Sequence, residues 1–285
     1  VGRDRYGVYP LRGKMLNVKE ATFKQILDNT EITALKKIVG LQDGKDYKDT
    51  KSLRYGEIMV MTDQDHDGSH IKGLLMNVFH TLWPSLMKLN YIKSMITPIV
   101  KISKGKKIVS FYNLQDYNTW RDKVTNIKGW NIKYYKGLGT SNSKEAKEYF
   151  KDIHDVTYEW TGEESDKSMN LAFKKELADN RKTWLKNFDP GNHINLDPEC
   201  KLVPVEEFIN KELIVFSNED NLRSIPSCID GLKPSQRKIL YCSFKRNLTS
   251  EIRVAQLAGY VSEHGAYHHG EASLQKTITG MAQNF

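Results

Sequence analysis

Met59-Val60-Met61-Thr62-Asp63-Gln64-Asp65-His66-Asp67-Gly68 is the stretch that decides the fold. An apolar run, Ile58 to Met61, leads straight into three carboxylates at alternate positions and then a glycine. Side chains alternate along an extended backbone, so Asp63, Asp65 and Asp67 are expected to point the same way. Like charges gathered on one side repel unless a cation sits among them. Carboxylate oxygens are hard ligands, which favours Mg²⁺ or Mn²⁺ over zinc. Downstream, Ile71, Leu74, Leu75, Val78, Phe79 and Leu82 form one continuous apolar stripe at helical spacing, and Pro84 marks its end. Strand, acidic loop and helix together predict an α/β domain with its site at a strand C-terminus. The alternative is a solvated acidic turn with an Asp N-cap.

The same string opens like a calcium loop, but the bidentate Glu required at loop position 12 is Leu74 here. The preceding residues Arg54 to Met61 read as a turn into a strand, not as the helix an EF-hand needs. His66 and His70 are four apart within this loop, where no regular helix face is expected to align them for zinc.

With 285 residues, 39% of them hydrophobic, the chain is long enough for about two domains with real cores. No run approaches a membrane span of about 18 apolar residues, so no membrane partner is expected. No leader peptide is visible, and Val1 in place of Met suggests that the natural N-terminus lies elsewhere. Cys200, Cys228 and Cys242 are odd in number and far apart, which supports neither a disulfide framework nor a thiolate zinc site and suits a reducing compartment. Net charge is +8, concentrated in residues 101–150, which hold 11 Lys+Arg against 4 Asp+Glu. Such a surface suits a polyanion or serves as a solubilising face.

A helix is expected over about Ala21 to Val39, ending at Gly40. Ile92 to Ile102 and Lys107 to Tyr112 read as strands joined at Lys104-Gly105-Lys106, and Trp130 to Tyr135 as another. The following Lys136-Gly137-Leu138-Gly139-Thr140 lacks the third glycine of a dinucleotide loop, since Asn142 stands there, so a tight turn with a Ser cap near Ser143 is expected. Residues 151–205, polar and acidic with a helix over about Asp166 to Leu185, read as a connector. From 206 onward, helices are expected from Pro234, over Glu251 to Ser262, and from Glu271. Leu232, Ile239, Leu240 and Phe244 are expected to form the inner side of the first. Basic residues on a trihelical unit suit a helix-turn-helix or winged-helix DNA reader as well as a plain bundle. The adjacent His268 and His269 diverge too far for a metal but suit phosphate.

Taken together these segments resemble the type IIA DNA topoisomerases of the eukaryotic kind. The likeness runs through Tyr9-Pro10-Leu11-Arg12-Gly13-Lys14-Met15-Leu16-Asn17-Val18, Thr62 to Leu74, Tyr134-Tyr135-Lys136-Gly137-Leu138-Gly139-Thr140 and Phe208-Ile209-Asn210-Lys211-Glu212-Leu213-Ile214. It continues through Ser224-Ile225-Pro226, Asp230-Gly231-Leu232-Lys233-Pro234, Val254-Ala255-Gln256-Leu257-Ala258 and Tyr267-His268-His269-Gly270-Glu271.

The resemblance implies an α/β toprim domain with a Rossmann-like parallel sheet over residues 1–150, the connector at 151–205, and a mainly α winged-helix domain over 206–285, both domains truncated. It implies Mg²⁺, with Mn²⁺ or Ca²⁺ as substitutes, on Asp63 and Asp65, with Asp67 in support. It gives catalytic positions to Arg12, Lys14, His268 and His269, and DNA contacts to Arg237, Lys238, Lys136 and Gln256. The implied reaction is transient cleavage of double-stranded DNA through phosphotyrosyl bonds, strand passage and religation, in a nuclear homodimer (or a host compartment for a viral enzyme) whose ATP binds outside these residues. The family's Glu-Gly-Asp-Ser motif is expected before Val1 and its reactive tyrosine after Phe285, so this chain alone is expected to be inactive. Two other readings compete: a toprim-type nuclease or primase-like enzyme, and a DNA-binding module without catalysis.

Overall fold

Two sheets order the strands β1 (Ile58–Val60), β2 (Ile92–Met95), β3 (Val100–Lys104), β4 (Lys107–Phe111), β5 (Asn131–Tyr134), β6 (Asp155–Glu159) and β7 (Leu202–Pro204). The computed structural model describes every residue except 1, 3, 125, 136, 152, 195, 197, 198, 284 and 285. The chain divides into two units, Val1–Phe216 and Ser217–Phe285.

In the first unit the larger sheet runs β1-β2-β6-β7. Strands β1 and β2 are parallel, β2 and β6 antiparallel, β6 and β7 parallel. The sheet is therefore mixed, not the parallel one expected. Residues 151–205, expected as a connector, supply β6 and β7 to the middle and far edge of this sheet. Their strand signal is real: Val156 and Tyr158 alternate with polar neighbours and are buried, as are Val203 and Val205.

The helix His66–Leu82 follows β1, and its stripe behaves as the spacing predicts: Leu74, Leu75, Val78 and Phe79 are buried in the main core. Trp83 and Tyr91, both fully buried, flank Phe79 with ring centroids 5.6 and 5.9 Å away. Emptying such a site by Phe→Ala costs about 3–5 kcal/mol in typical cores. Pro84 opens a separate short helix, Pro84–Lys88, as its missing N–H allows.

The stretch Ile92 to Ile102 is not one strand. It breaks around Pro98, which has no N–H for a ladder, and β3 passes into a second sheet of order β4-β3-β5, antiparallel throughout. Val100, Ile102, Phe111 and Tyr117 form its own small core. The helix expected over Ala21 to Val39 is two, Phe23–Asp28 and Thr30–Val39, because the Asn29 side chain caps the second through Ile32 N–H. That expected over Asp166 to Leu185 is likewise two, Glu163–Phe173 and Ala178–Lys186.

The second unit's described residues form helices at Pro234–Lys245, Val254–His264 and Glu271–Met281, after the end of Ile214–Ser224. Ile239, Cys242, Leu257, Ala258, Val261, Leu274 and Ile278 make its core. Phe244, expected on the inner side, is 79% exposed. Cys242 takes the inward position, three residues after Ile239 on the same face.

Candidate functional site

At the end of β1 the chain does not stay extended through the acidic loop. A helix begins at His66, and Asp65 is its N-cap, its Oδ1 accepting from Gly68 N–H at 2.7 Å. Gly68 is required there: a Cβ would lie 2.1 Å from the Asp63 carbonyl oxygen. The alternation argument for the three carboxylates thus fails, since Asp67 sits in the first helical turn. The conclusion that they share a space survives by another route. Asp63, Asp65 and Asp67 all line one cavity of about 700 Å³ alongside β1 and Gly13.

Lys14 Nζ pairs with Asp67 Oδ1 at 2.9 Å and lies 4.9 Å from the centroid of the Phe216 ring. His70 stacks on the same ring, 4.0 Å between centroids, so it is packed in the unit and not aligned with His66. Arg12, two residues from Lys14, is exposed. Among the described residues no three His, Cys, Asp or Glu side chains converge as a complete metal cage.

That donor set still fits Mg²⁺, which keeps several waters and takes one or two carboxylates plus substrate phosphates. Asp63 and Asp65 are both exposed carboxylates on the cavity. Thr62 Oγ1, buried on the same cavity, has no hydrogen-bond partner among the described residues. The helix N-terminus beneath the loop adds favourable dipole for an anion such as phosphate.

The turn after β5 closes over this loop. A Cβ on Gly137 would fall 2.5 Å from Asp63 Cγ, so Gly137 serves close approach to a carboxylate rather than a phosphate cradle. Lys136, expected to contact DNA, lies outside the described residues. The next helix, Ser143–Lys151, is capped by Asn142 and not by Ser: Asn142 Oδ1 accepts from Glu145 N–H at 2.9 Å and Glu145 Oε2 from Asn142 N–H at 2.8 Å, a reciprocal capping box.

Sequence reading missed the support beneath the loop. Lys72 is 1% exposed and pairs with Glu212, and Ser69 Oγ also donates to Glu212 Oε1, at 2.7 Å. Burial alone would lower the Lys72 pKa, but the Glu212 charge and hydrogen bond outweigh it and hold the ammonium above its ordinary value. Glu212 comes from a π-helical segment, Phe208–Leu213. The available signal was Lys72 itself, which lies on the apolar side of its helix, where a lysine needs a carboxylate.

In the second unit, Arg237 forks onto Asp230, Nε to Oδ2 and Nη2 to Oδ1 at 2.9 Å each. Lys238 Nζ donates to Ala266 O at 2.6 Å, anchoring the turn before Tyr267-His268-His269. His269 meets the Tyr267 ring edge-on at 5.4 Å. His268, His269 and Gln256 are exposed, Gln256 in the first turn of Val254–His264.

Residues 1–99 match the Toprim domain, residues 95–221 the C-terminal associated domain of TOPRIM, and residues 223–285 the DNA gyrase/topoisomerase IV family. The whole chain is 55% identical to DNA topoisomerase 2-beta of Gallus gallus and 54% identical to DNA topoisomerase 2-alpha of Homo sapiens. The chain belongs to the type II DNA topoisomerases. It spans 18% and 20% of the length of those two topoisomerases. Its fold matches the Plasmodium falciparum topoisomerase II DNA-binding, cleavage and re-ligation domain with a TM-score of 0.86 at 52% identity, covering 100% of this chain and 39% of that one. Among topoisomerase parts, it corresponds to a cleavage and religation region.

Proposed function

We propose that these residues serve an enzyme that changes DNA topology by cutting both strands of a duplex, passing another duplex through, and resealing. The observation that carries the reading is the acidic loop at the end of β1, whose Asp63, Asp65 and Asp67 open onto one cavity, in a chain similar throughout to type II topoisomerases. Asp63 and Asp65 would hold Mg²⁺, with Asp67 in support through Lys14. A divalent ion there would neutralise charge that builds on the scissile phosphate.

Arg12 and Lys14, on the chain segment beside the loop, bring positive charge toward the DNA backbone. Lys14 is partly committed to Asp67, so its first task is to orient that carboxylate. In the second unit, a winged-helix domain on this reading, His268, His269, Gln256 and Lys238 offer donors to phosphate. Arg237 would have to leave Asp230 to do so. Nuclear localisation, a homodimeric assembly and ATP bound elsewhere complete the proposal.

Asp63→Asn in a full-length topoisomerase carrying these 285 residues tests it. Loss of Mg²⁺-dependent cleavage with duplex binding retained supports the reading. Unchanged cleavage refutes it, and unchanged cleavage with tighter binding favours a non-catalytic DNA-binding module, because a repelling charge has been removed.

A further inference from the structure

A third group of titratable side chains lies within the first unit and takes no part in the site above. Lys19 Nζ lies 2.8 Å from His80 Nδ1, and His80 Nε2 lies 2.7 Å from Asp166 Oδ1. The Asp166 carboxylate can only accept, so Nε2 carries the ring proton and Nδ1 is left as an acceptor facing the lysine. Trp160 packs against the imidazole at 5.2 Å between centroids. The His80 side chain is 8% exposed and that of Asp166 51%, while Lys19 is half-buried. The order is amine, imidazole, carboxylate: a nucleophile within reach of a base that a third group orients.

We propose that Lys19 is an acyl-acceptor site, with its amine as nucleophile, His80 Nδ1 as proton acceptor and Asp166 as the group that orients the imidazole. The donor would be a small activated acyl compound such as an acyl phosphate. The Nζ lone pair attacks the carbonyl carbon and a C–N bond forms. The C–O bond to phosphate breaks, and its electron pair leaves with the phosphate. The amine proton passes to His80 Nδ1 and then to water. The shielding of His80 leaves Lys19 as the atom a donor reaches.

The ionisation of the cluster agrees with this role. Burial, then the nearby Lys174 charge, lower the Lys19 pKa to about 8 against the opposing pull of Asp166. Burial also keeps His80 below its ordinary value despite its bond to Asp166, with Lys19 and Lys174 pushing the same way. At pH 7.5 about a quarter of the Lys19 amine is uncharged, against roughly one part in a thousand for an ordinary lysine. Lower basicity returns about tenfold of that advantage if amines follow a thiol-like Brønsted slope. The net expectation is acylation about ten- to twentyfold faster than at an exposed lysine.

The test is incubation of the 285-residue chain with acetyl phosphate at several pH values, with peptide mass spectrometry reading each lysine. Lys19 is expected to label about tenfold faster than the median exposed lysine at pH 7.5, with a rate midpoint near pH 8. His80→Asn is expected to bring it down to that median. Asp166→Asn, a change at a half-exposed side chain, is expected to slow it severalfold and keeps the test open should His80→Asn fail to fold. Labelling of wild-type Lys19 at or below the median overturns the proposal, as does an unchanged rate in a folded variant. The cluster is then only a structural tie between the Asn17–Glu20 turn and two helices.

Discussion

Gly137 lies against the carboxylate of Asp63, so closely that a Cβ on it would come within 2.5 Å of both Asp63 Cγ and Oδ2. The turn after β5 therefore fixes where the first acidic side chain of the β1 loop can point. Gly137→Ala forces Asp63 to swing aside. Asp63 is exposed, so the move should cost little stability, under about 1 kcal/mol. Mn²⁺ affinity, followed by water-proton relaxation, is expected to fall to the level of Asp63→Asn while the melting temperature stays near wild type. Wild-type affinity in Gly137→Ala would show that the contact does not aim the carboxylate.

The Lys72–Glu212 pair makes a different kind of prediction. Removing one member of a buried pair strands the other charge and costs about 3–5 kcal/mol, whereas replacing both with apolar groups is often near neutral. Lys72→Met is therefore expected to destabilise the chain by that amount in urea unfolding. Lys72→Met with Glu212→Leu is expected to recover most of the loss, less the Ser69 hydrogen bond. Equal destabilisation of the single and double variants would contradict this.

Much of the site was legible in sequence because its signals are local. The β1–loop–helix unit announces itself through Ile58 to Met61 and the stripe from Ile71 to Leu82. Distant pairing was not legible. Asp155–Glu159 looked like linker because its outward residues are polar, although Val156 and Tyr158 already alternate as a strand would. Pro98 divides what reads as one apolar strand between two sheets. The N-cap role of Asp65 shows that alternate carboxylates need not imply an extended chain. Glu212 and Gly137 lie 140 and 74 residues from Lys72 and Asp63, and no periodicity connects such positions.

Acid should weaken the β5 region selectively. Burial alone would raise the Glu145 pKa, but hydrogen bonds from Lys133, Tyr135 and Asn142 N–H prevail and hold it near 2, below its ordinary 4.5. A depressed carboxylate contributes stability that is complete above the unfolded value and disappears as pH falls through the folded one. The loss should thus fall between about pH 4.5 and about 2. Glu145→Gln is expected to be less stable than wild type at pH 6 and to lose less between those limits. Parallel melting curves for the two proteins across the window would refute the assignment.

The central claim is that the acidic loop after β1 seats a divalent cation, and paramagnetic broadening by Mn²⁺ in amide NMR spectra of this chain tests it most directly. The account predicts that substoichiometric Mn²⁺ erases the signals of Thr62, Asp63, Gly68 and Gly137 first, and that Asp63→Asn with Asp65→Asn spares them. Broadening centred on other carboxylates, such as Glu163, Glu164 and Asp166, or unaltered in the double variant, would contradict it.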